Sequence, residues 1–376
     1  MEIYVYDREI ELQGVIEKIT SFIWVRRYNS VGEFKLLVPF TPKYNDLLKM
    51  YRLLVKWDGD EEAGEIRYIE IRMNTQGVEE IEIQGRFVTN WLSKRIVLNK
   101  INMTAPTPQV MTRIVTENIT NPTNPARRLH NITHTDISSI DRGNIEYVSE
   151  PFINAGLALE RAAKASRLGF NVTADIRKRQ YFFNIYDGND FTHGNAADNP
   201  PAVFSVEFDN ILEQTFTNST ERLRTTAYVG GEDTHDRPRR VVEVGDNFAG
   251  HERAEVFINA TDIVQFWRDE NGVEQSISDG AYGLLLFQRG VQQLGYFAET
   301  LAFTSKVNTH ANLKYKEDYN LGDRVTCINQ RWGVRINVRI NEIMEVYQDH
   351  PEPEIEITFG ESLPALIEQI RALYIQ

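Results

Sequence analysis

Alternating apolar and polar residues dominate the N-terminal part of the chain. Between positions 69 and 73, apolar side chains alternate with Glu70 and Arg72, and positions 80–84 repeat the pattern. A period of two residues is typical of a half-buried β-strand. Turn-forming stretches at 58–65 and 74–77 separate such runs. The pattern therefore predicts short strands in an antiparallel barrel or sandwich.

From about residue 100 the pattern changes to helices mixed with strands. Thr107 and Pro108 predict an N-cap and the first residue of a helix. A run rich in Ala and Leu predicts a second helix from Asn154 to Gly169. A small α/β domain inserted between two β-rich regions is the simplest arrangement. The predicted domains, with segments interleaved, are 1–98, 99–200 and 201–376.

The last third of the chain returns to strands, with two helices. Residues 226–246 predict a hairpin with an acidic tip, and residues 334–340 alternate as a strand. A helix is predicted over 280–300, with one apolar stripe formed by Leu284, Phe287, Val291, Leu294 and Ala298. The C-terminal segment predicts an amphipathic helix. The residues that share its apolar face are Leu363, Leu366, Ile367, Ile370 and Leu373.

Net charge, apolar runs and cysteine content exclude several classes of protein. The 376 residues carry a net charge of −13, so phosphate backbones are repelled and a general nucleic-acid-binding surface is not expected. The N-terminus lacks the pattern of a signal peptide, and no apolar run reaches the length of a membrane span. A single cysteine, Cys327, excludes an internal disulfide and fits folding in a cytoplasm.

Candidate catalytic and metal-binding motifs are weak. His130 and His134 are four residues apart, but Asn131 stands where a zinc metalloprotease motif has Glu. Cys327 lies in a strand pattern and is expected to be a core residue. A glycosidase needs a pair of carboxylates, and four candidates are each expected at the surface instead: Glu150, Glu160, Glu207 and Glu213. We therefore predict no catalytic residue, no metal site and no cofactor.

Two basic clusters and one aromatic segment are candidate interaction sites. Arg239 and Arg240, together with Arg177–Arg179, are flanked by acids and favour ion pairs or a subunit interface over phosphate contacts. In the segment 21–39, a turn at Gly32 separates two predicted strands, 21–28 and 33–38. Alternation then places Arg26 on the same face as Trp24 and Arg27 on the opposite face, which makes Arg27 the better interface candidate.

Several stretches combine an aromatic-Arg-Arg-Tyr run, a Gly-Arg start to a segment ending in Leu-x-x-Arg, and a late Leu-Gly-Asp-x-Val-Thr. Together, and in this order, they resemble the hub proteins of long-tailed phages and prophages of Gram-positive bacteria. The resemblance covers nearly the whole chain. The stretches are SFIWVRRYNSVGEFKLLVP (21–39), GRFVTNWLSKRIV (85–97), GHERAEVFINATDI (250–263), YKEDYNLGDRVTC (315–327), RINEIMEVY (339–347) and ITFGE (357–361).

The resemblance implies a β-rich α+β fold with two related antiparallel β-barrel domains and smaller inserted α/β domains. It implies a homotrimeric ring in the virion tail that closes the distal end of the tail tube. The implied partners are the distal tail protein, a tail fibre or spike, and the tape-measure protein. DNA is expected to pass through the ring without specific binding, and no membrane is involved. No enzymatic activity is carried over from larger relatives.

The Leu-Gly-Asp motif has a structural interpretation of its own. Gly322 allows a tight turn, and the Asp323 carboxylate can accept hydrogen bonds from turn amides. We predict a structural corner and a signature of the fold, along with Trp24 and Gly32. Leu366 and Ile370 of the C-terminal helix are further interface candidates. Two alternatives stay open, a peptidoglycan-degrading tail enzyme and a carbohydrate-binding module that recognises the host.

Overall fold

The computed structural model describes residues 2–56, 62–73, 75–137, 140, 143–233, 238–268, 272–348 and 352–360. The strands are β1 Ile3–Tyr6, β2 Leu12–Ile16, β3 Ser21–Arg27, β4 Glu33–Pro39, β5 Leu53–Lys56, β6 Ala63–Met73, β7 Glu79–Phe87, β8 Asn102–Pro106, β9 Ile132–His134, β10 Asn144–Val148, β11 Gly169–Asp175, β12 Gln180–Tyr186, β13 Val203–Ser205, β14 Ile211–Ser219, β15 Thr226–Gly230, β16 Val241–Gly245, β17 Glu255–Asn259, β18 Phe266–Arg268, β19 Glu274–Ser276, β20 Thr300–Val307, β21 Arg324–Asn329, β22 Val334–Tyr347 and β23 Glu354–Gly360. The α-helices are α1 Pro42–Leu47, α2 Thr107–Val115, α3 Ala155–Ser166 and α4 Asp279–Leu294, and shorter helical turns include Val88–Lys94 and Gly295–Phe297.

One sheet of 13 strands joins the two ends of the sequence. Its strands follow the order β14-β20-β23-β22-β3-β4-β7-β6-β5-β1-β2, with β21 beside β22 and β13 beside β21. The central pairing is antiparallel between β22 and β3, where Glu342 lies opposite Arg27 and Tyr347 lies opposite Phe22. Strands predicted at 21–28 and 33–38 correspond to β3 and β4.

The prediction of a β-rich fold is confirmed, but the prediction of closed barrels is not. No sheet closes into a barrel within the described part of the chain: the main sheet ends at β14 on one side and β2 on the other. Alternation determines which face a side chain occupies, but it does not determine whether two edge strands meet. The strand pattern left a barrel or a sandwich open, and the resemblance added the two closed barrels.

The long strand β22 connects two halves of the sheet. Its first half pairs with β21, and its second half pairs with β3 on one side and β23 on the other. The register with β23 shifts between Ile340 and Glu342, at the point where β22 changes partners. The strand predicted at 334–340 is therefore the first half of an element that continues to Tyr347.

Separate cores lie on this sheet. One surrounds Trp24 and contains Phe34 and Phe87, and another surrounds Phe359 and contains Phe204. A third core packs α2 and α3 against β11 and β12, and it also includes Tyr6 and Leu53 of the N-terminal strands. The predicted α/β insert thus shares its core with the first strands of the chain.

The helices of the insert follow the sequence pattern with one correction. The side chain of Asn154 caps α3, accepting a hydrogen bond from the Leu157 amide at 3.2 Å, as its position predicts. Thr107, predicted as the N-cap of α2, is instead its first residue, after Pro106. Its hydroxyl accepts a hydrogen bond from Ser166 at 2.6 Å, so tertiary contact with α3 replaces the local cap.

A smaller unit, here called the α4 unit, consists of β15, β16, β17 and α4. The predicted hairpin forms, because β15 and β16 pair antiparallel. Helix α4 buries Tyr282, Leu286, Arg289 and Gly290. A Cβ at Gly290 would lie 2.5 Å from Val244 and 2.7 Å from Val229, so glycine allows the helix to approach the sheet closely.

Helix α4 ends at Leu294, earlier than predicted, and three of the five residues of the predicted apolar stripe face solvent, whereas Leu294 packs partly buried against the core of the α4 unit. Leu284, Phe287 and Val291, here called the apolar stripe, are 52%, 45% and 53% exposed. The predicted C-terminal helix, with Leu366 and Ile370, lies outside the described residues.

Candidate functional site

One face of β3 is built around a buried tryptophan. Trp24 is fully buried, with its ring centroid 4.3 Å from that of Phe87 and 5.8 Å from that of Phe34. A Cβ at Gly32 would lie 2.6 Å from the Phe87 ring, so this turn also closes on the cluster. The aromatic residues of this segment therefore form a core and offer no open recognition face.

Charged side chains are buried beside this aromatic core. The Lys56 ammonium lies 2.6 Å from a Glu345 carboxylate oxygen, and each side chain is 1% exposed. The hydroxyl of Tyr347 donates to the same carboxylate at 2.6 Å. Lys56 also lies 5.6 Å from the centroid of the Trp24 ring, within range of a cation–π interaction.

A second buried ion pair lies on the same face. The Arg26 guanidinium contacts Glu62 at 2.5 Å, and their side chains are 10% and 4% exposed. Arg26 also donates to the Tyr315 hydroxyl at 2.8 Å. Tyr315 in turn donates to Glu345 at 3.4 Å, so the two pairs are connected. We call Arg26, Lys56, Glu62, Tyr315 and Glu345 the polar junction.

The polar junction ties together distant parts of the sequence. Its members come from β3, β5, the start of the β6 region, the loop before β21, and β22. Burying a charge is costly unless it is paired and hydrogen-bonded, so these segments are held in one relative position. Arg26, predicted as an interface candidate, is enclosed here by its own chain, and a role at a subunit interface stays a prediction.

Arg27 points to the opposite face of β3, as alternation predicts. Its guanidinium contacts Glu342 at 2.6 Å and Glu33 at 2.7 Å, and its side chain is 28% exposed. Burial alone would lower its pKa, but the two carboxylates raise it above the usual value. An interface role for Arg27 stays a prediction, with both ion pairs already formed inside the chain.

The Leu-Gly-Asp motif forms a corner, as predicted from its residues. Gly322 has a φ of +92°, and a Cβ there would lie 2.4 Å from the Tyr28 ring. The Asp323 carboxylate accepts hydrogen bonds from the amides of Asn189 and Asn320 at 2.8 and 2.7 Å. Burial raises the pKa of Asp323, and the two amides oppose this shift.

Another buried carboxylate gathers three cations. Glu65 is 1% exposed and contacts Arg8 at 2.6 Å, Arg67 at 3.1 Å and Lys94 at 3.4 Å. The indole of Trp91 donates to it at 2.9 Å. Burial would raise the pKa of Glu65, but the hydrogen bond from Arg8 and the nearby positive charges hold it below the usual value.

Arg239 and Arg240 are occupied within the α4 unit. Arg239 donates to the Gly231 carbonyl at 3.0 Å and lies 4.9 Å from the centroid of the Phe257 ring. Arg240 donates to the Asp279 carbonyl at 2.8 Å, at the first residue of α4, and forms an ion pair with its carboxylate. The structure therefore brings both arginines together with their own hairpin and helix, while Leu366 and Ile370 lie beyond the described residues.

Three of the four candidate carboxylates each contact a different side chain of the protein. Glu150 pairs with Arg161, Glu160 pairs with Lys164, and Glu207 accepts a hydrogen bond from Ser205. Burial raises the pKa of the Cys327 thiol well above its usual value, which disfavours the reactive thiolate. Across the ranges that the structure describes, no group of three or more His, Cys, Asp or Glu could hold a metal ion.

His130 and His134, four residues apart in the sequence, have different surroundings. His130 lines an open cleft with Arg8, Lys94 and Trp91. His134 instead lies against the hydroxyls of Thr116 and Thr120, at 3.1 and 3.3 Å, and burial lowers its pKa. Trp91 is only 6% exposed, so the cleft does not offer its ring as a stacking platform.

Sequence reasoning missed Lys56, Glu62 and Glu345. A signal for Glu345 is present, because it alternates in phase with Ile343 and Tyr347, both of which are buried. A charge in the apolar phase of a strand indicates a buried partner. Lys56 closes an otherwise apolar run, Leu53–Lys56, and gives the matching signal.

Comparison with known proteins identifies the family. The family model described as "Siphovirus ReqiPepy6 Gp37-like protein" matches residues 2–361. The chain belongs to this family. The predicted resemblance to siphophage and prophage proteins is thereby confirmed. No protein among those with curated descriptions matches the sequence of this Gp37-like family member.

Solved structures show the same fold at low sequence identity. Prophage tail protein gp18 from Listeria monocytogenes EGD-e is 12% identical with a TM-score of 0.54, covering 100% of this chain and 98% of its own. A tail protein from Neisseria meningitidis MC58 is 12% identical with a TM-score of 0.55, covering 96% of each chain. The 43 kDa tail protein of prophage MuSo2 from Shewanella oneidensis is 13% identical with a TM-score of 0.53, covering 96% of this chain and 98% of its own.

In the described part of this family member, no helix is both long and apolar enough to cross a membrane.

Proposed function

We propose that this protein is a structural, non-enzymatic component of a phage or prophage tail. It acts as a hub, forming a homotrimeric ring that closes the distal end of the tail tube and connects it to the tip. The observation that carries the proposal is membership of a siphovirus family over residues 2–361, together with a fold shared over at least 96% of three tail proteins, two of them from prophages.

The proposed partners follow from this position. The ring contacts a second and third copy of the chain, the distal tail protein on one side, and a fibre or spike on the other. The tape-measure protein is a further neighbour inside the tube, and the assembled protein is located in the virion tail. A net charge of −13 supports a lumen through which DNA passes without being bound.

The open sheet supports assembly into a ring. Edge strands expose unpaired backbone groups, and proteins protect them by pairing or covering them. The edges formed by β14 and β2 are candidates for such cover by neighbouring copies. We propose the domain division 1–98, 99–200 and 201–376 for this hub, with barrel-like closure of the two β-rich regions completed in the ring.

The mass of the assembly tests the ring directly. Light scattering on the purified chain at increasing concentration, alone and with the distal tail protein, is expected to show a species of three times the chain mass. Negative-stain images of that species should show a ring. A chain that stays monomeric at high concentration in both samples contradicts the trimer.

Arg27→Glu tests the proposed interface on β3. The substitution places a third acid beside Glu33 and Glu342, so we expect the trimer to dissociate at concentrations where the wild type is assembled. Arg113→Glu, at a residue whose side chain is 42% exposed and paired with Glu117, is the matched control. Light scattering gives the mass, and thermal unfolding confirms that the variant folds. Unchanged assembly of a folded Arg27→Glu variant removes the interface role.

Two other functions make different predictions. A peptidoglycan hydrolase would clear cell walls in zymography, and a carbohydrate-binding module would bind a glycan array as an isolated chain. We expect neither signal. The separate ion pairs of Glu150 and Glu160 support the first expectation, and the buried Trp91 supports the second.

A further inference from the structure

The cations around the buried Glu65 carry more positive charge than this carboxylate neutralises. Arg8, Arg67 and Lys94 contact it at 2.6, 3.1 and 3.4 Å. Within the described residues, Glu65 is the only carboxylate that pairs with any of the three. Three positive charges around one negative charge leave a net charge of +2, in a protein whose overall net charge is −13.

The oxygens of Glu65 are already saturated with donors. One oxygen accepts from two nitrogens of Arg8, at 2.9 and 2.6 Å, and from the indole of Trp91 at 2.9 Å. The other accepts from Arg67 at 3.1 Å and from Lys94 at 3.4 Å. A carboxylate offers about four acceptor positions, and five donors contact this one. The remaining N–H groups of Arg8 and Lys94 therefore need another acceptor, which is either water or a bound anion.

Arg8 and Lys94 both line an open cleft of about 180 Å³ beside this cluster. Its other walls include the loop at 129–131 and Tyr181 of β12, so the cleft lies between the N-terminal strands and the α/β insert. The side chains of Arg8 and Lys94 are 42% and 28% exposed, so both can contact a bound group. Glu9 also lines the cleft, but in the described part of the chain it forms no ion pair with either cation.

The turn between β1 and β2 holds Arg8 in a fixed position. Ile10 has a φ of +60°, a left-handed conformation that is rare for a β-branched residue, and its side chain is buried. The Asp7 carboxylate accepts from two amides of the turn, at 3.1 and 2.8 Å. The backbone carbonyl of Arg8 accepts from the Tyr181 hydroxyl at 2.8 Å. A cation held in this way loses little conformational freedom when it binds a partner.

The positive surface continues beyond the cleft. The guanidinium groups of Arg8 and Arg67 lie 4.6 and 5.3 Å from the centroid of the Tyr51 ring, which is 47% exposed. Arg and Tyr are enriched among the residues that contribute most to protein–protein binding. Small-molecule sites enclose most of their ligand and commonly exceed about 300 Å³. This smaller, open cleft therefore suits a side chain presented by another protein better than a small molecule.

The pKa of Lys94 reflects the excess of positive charge. Burial lowers this pKa, and the nearby charges of Arg8 and Arg67 lower it further, whereas Glu65 raises it. The cations thus repel one another even with Glu65 in contact with all three. A second carboxylate at the cleft would reduce this repulsion.

We propose that the cleft and the adjoining surface of Tyr51 and Arg67 bind an acidic segment of a partner protein. One carboxylate of the segment accepts hydrogen bonds from Arg8 and Lys94, and it supplies the negative charge that Glu65 alone does not. The proposal rests on charge complementarity and does not depend on the tail function.

Peptide binding to the full chain tests the proposal. The probe is a fluorescent peptide of Glu and Gly residues, followed by anisotropy, with a peptide of Gln and Gly as its neutral control. Arg8→Gln and Lys94→Gln should each weaken binding of the acidic peptide about tenfold, because each removes a charge-assisted hydrogen bond. Arg113→Gln is the matched control, since its side chain is also 42% exposed and paired with an acid, and it should bind as the wild type does. Glu9→Gln should tighten binding about twofold, because it removes a like charge from the cleft.

Circular dichroism and thermal unfolding verify that each variant folds. Lys94→Gln keeps the test if Arg8→Gln unfolds, because the contact of Lys94 with Glu65 is the longest of the three. Absence of binding by the wild type, unchanged binding in the folded cleft variants, or an equal loss in Arg113→Gln would overturn the proposal. Citrate or inorganic phosphate bound as tightly as the peptide would assign the cleft to a small anion instead. A lower assembly mass of Arg8→Gln in light scattering would assign it to a second copy, and either result also overturns the proposal.

Discussion

The polar junction buries charged side chains, whereas the α4 unit exposes apolar ones. In the junction, Lys56 and Glu345 are fully buried together, beside Trp24. In the α4 unit, Phe287 and its two neighbours in the stripe are left in water. The junction joins segments that are in contact with each other, whereas no described residue covers the stripe. The charges of the junction are therefore paired within the described chain, whereas the apolar side chains of the stripe are not buried in it.

The largest expected effect comes from breaking the junction. Glu345→Ala leaves the Lys56 ammonium buried without its partner, and we expect a loss of about 3–5 kcal/mol in the free energy of unfolding. Urea unfolding followed by tryptophan fluorescence measures it.

The double variant Lys56→Met/Glu345→Leu distinguishes the effect of an unpaired charge on stability from the effect of lost packing. Replacing a whole buried ion pair by apolar residues is often neutral or stabilising, so most of the stability should return. A double variant as unstable as Glu345→Ala would show that the hydrogen bonds from Tyr315 and Tyr347 to Glu345, more than the charge pair, stabilise the junction.

A smaller loss of stability is expected from disturbing the contact between α4 and the sheet beneath it. Gly290→Ala places a methyl group 2.5 Å from Val244, and overpacking of this kind costs about 1–3 kcal/mol. Gly280→Ala is the matched control in the same helix, because a Cβ there has no neighbour within 4 Å. Thermal unfolding of both variants gives the difference. Equal stability would mean that α4 is not held by this contact.

The stability of the protein at acid pH should depend on the lowered pKa of Glu65. The pKa of its carboxyl is lower in the folded chain, so the carboxylate stabilises the fold above its unfolded pKa, about 4.3, and this stability is lost as the pH falls through the folded value. Glu65→Gln removes the titration, so the free energy of unfolding should depend less steeply on pH below about pH 5. Glu160→Gln is the matched control, because it removes a carboxylate from an ion pair that is partly exposed to solvent. An identical slope for Glu65→Gln would contradict the shift.

The smallest effect should come from the surface. Glu160 and Lys164 form an i,i+4 pair on α3 at 2.7 Å, with side chains 31% and 40% exposed. Such pairs contribute about 0.3–0.5 kcal/mol, so Lys164→Ala should be close to neutral in urea unfolding. A loss as large as that of Glu345→Ala would remove the contrast between buried and exposed pairs.

Local patterns predicted local structure well. The strands at 21–28 and 33–38, the cap of α3 by Asn154, and the hairpin around Arg239 are all present. Alternation and capping are set by neighbouring residues, so the sequence carries them directly. The corner at Gly322 and Asp323 followed in the same way from turn chemistry.

The alternation of apolar and polar residues does not predict which distant strands pair. Nothing in the alternation of β22 indicates that it pairs with β3, more than 300 residues earlier, and the charged members of the junction were missed with it. For α4, the apolar stripe has the expected helical period, yet Gly290 determines which face meets the sheet. Its contact with Val244 is invisible in the sequence.

The pairing of β3 with β22 also has a consequence in time. During synthesis, β3 is made more than 300 residues before its partner, residues 342–347. Contacts of such high sequence separation fold slowly, and unpaired strand edges are prone to aggregate until they are paired. One edge of β3 therefore has no partner strand until residues 342–347 have been made.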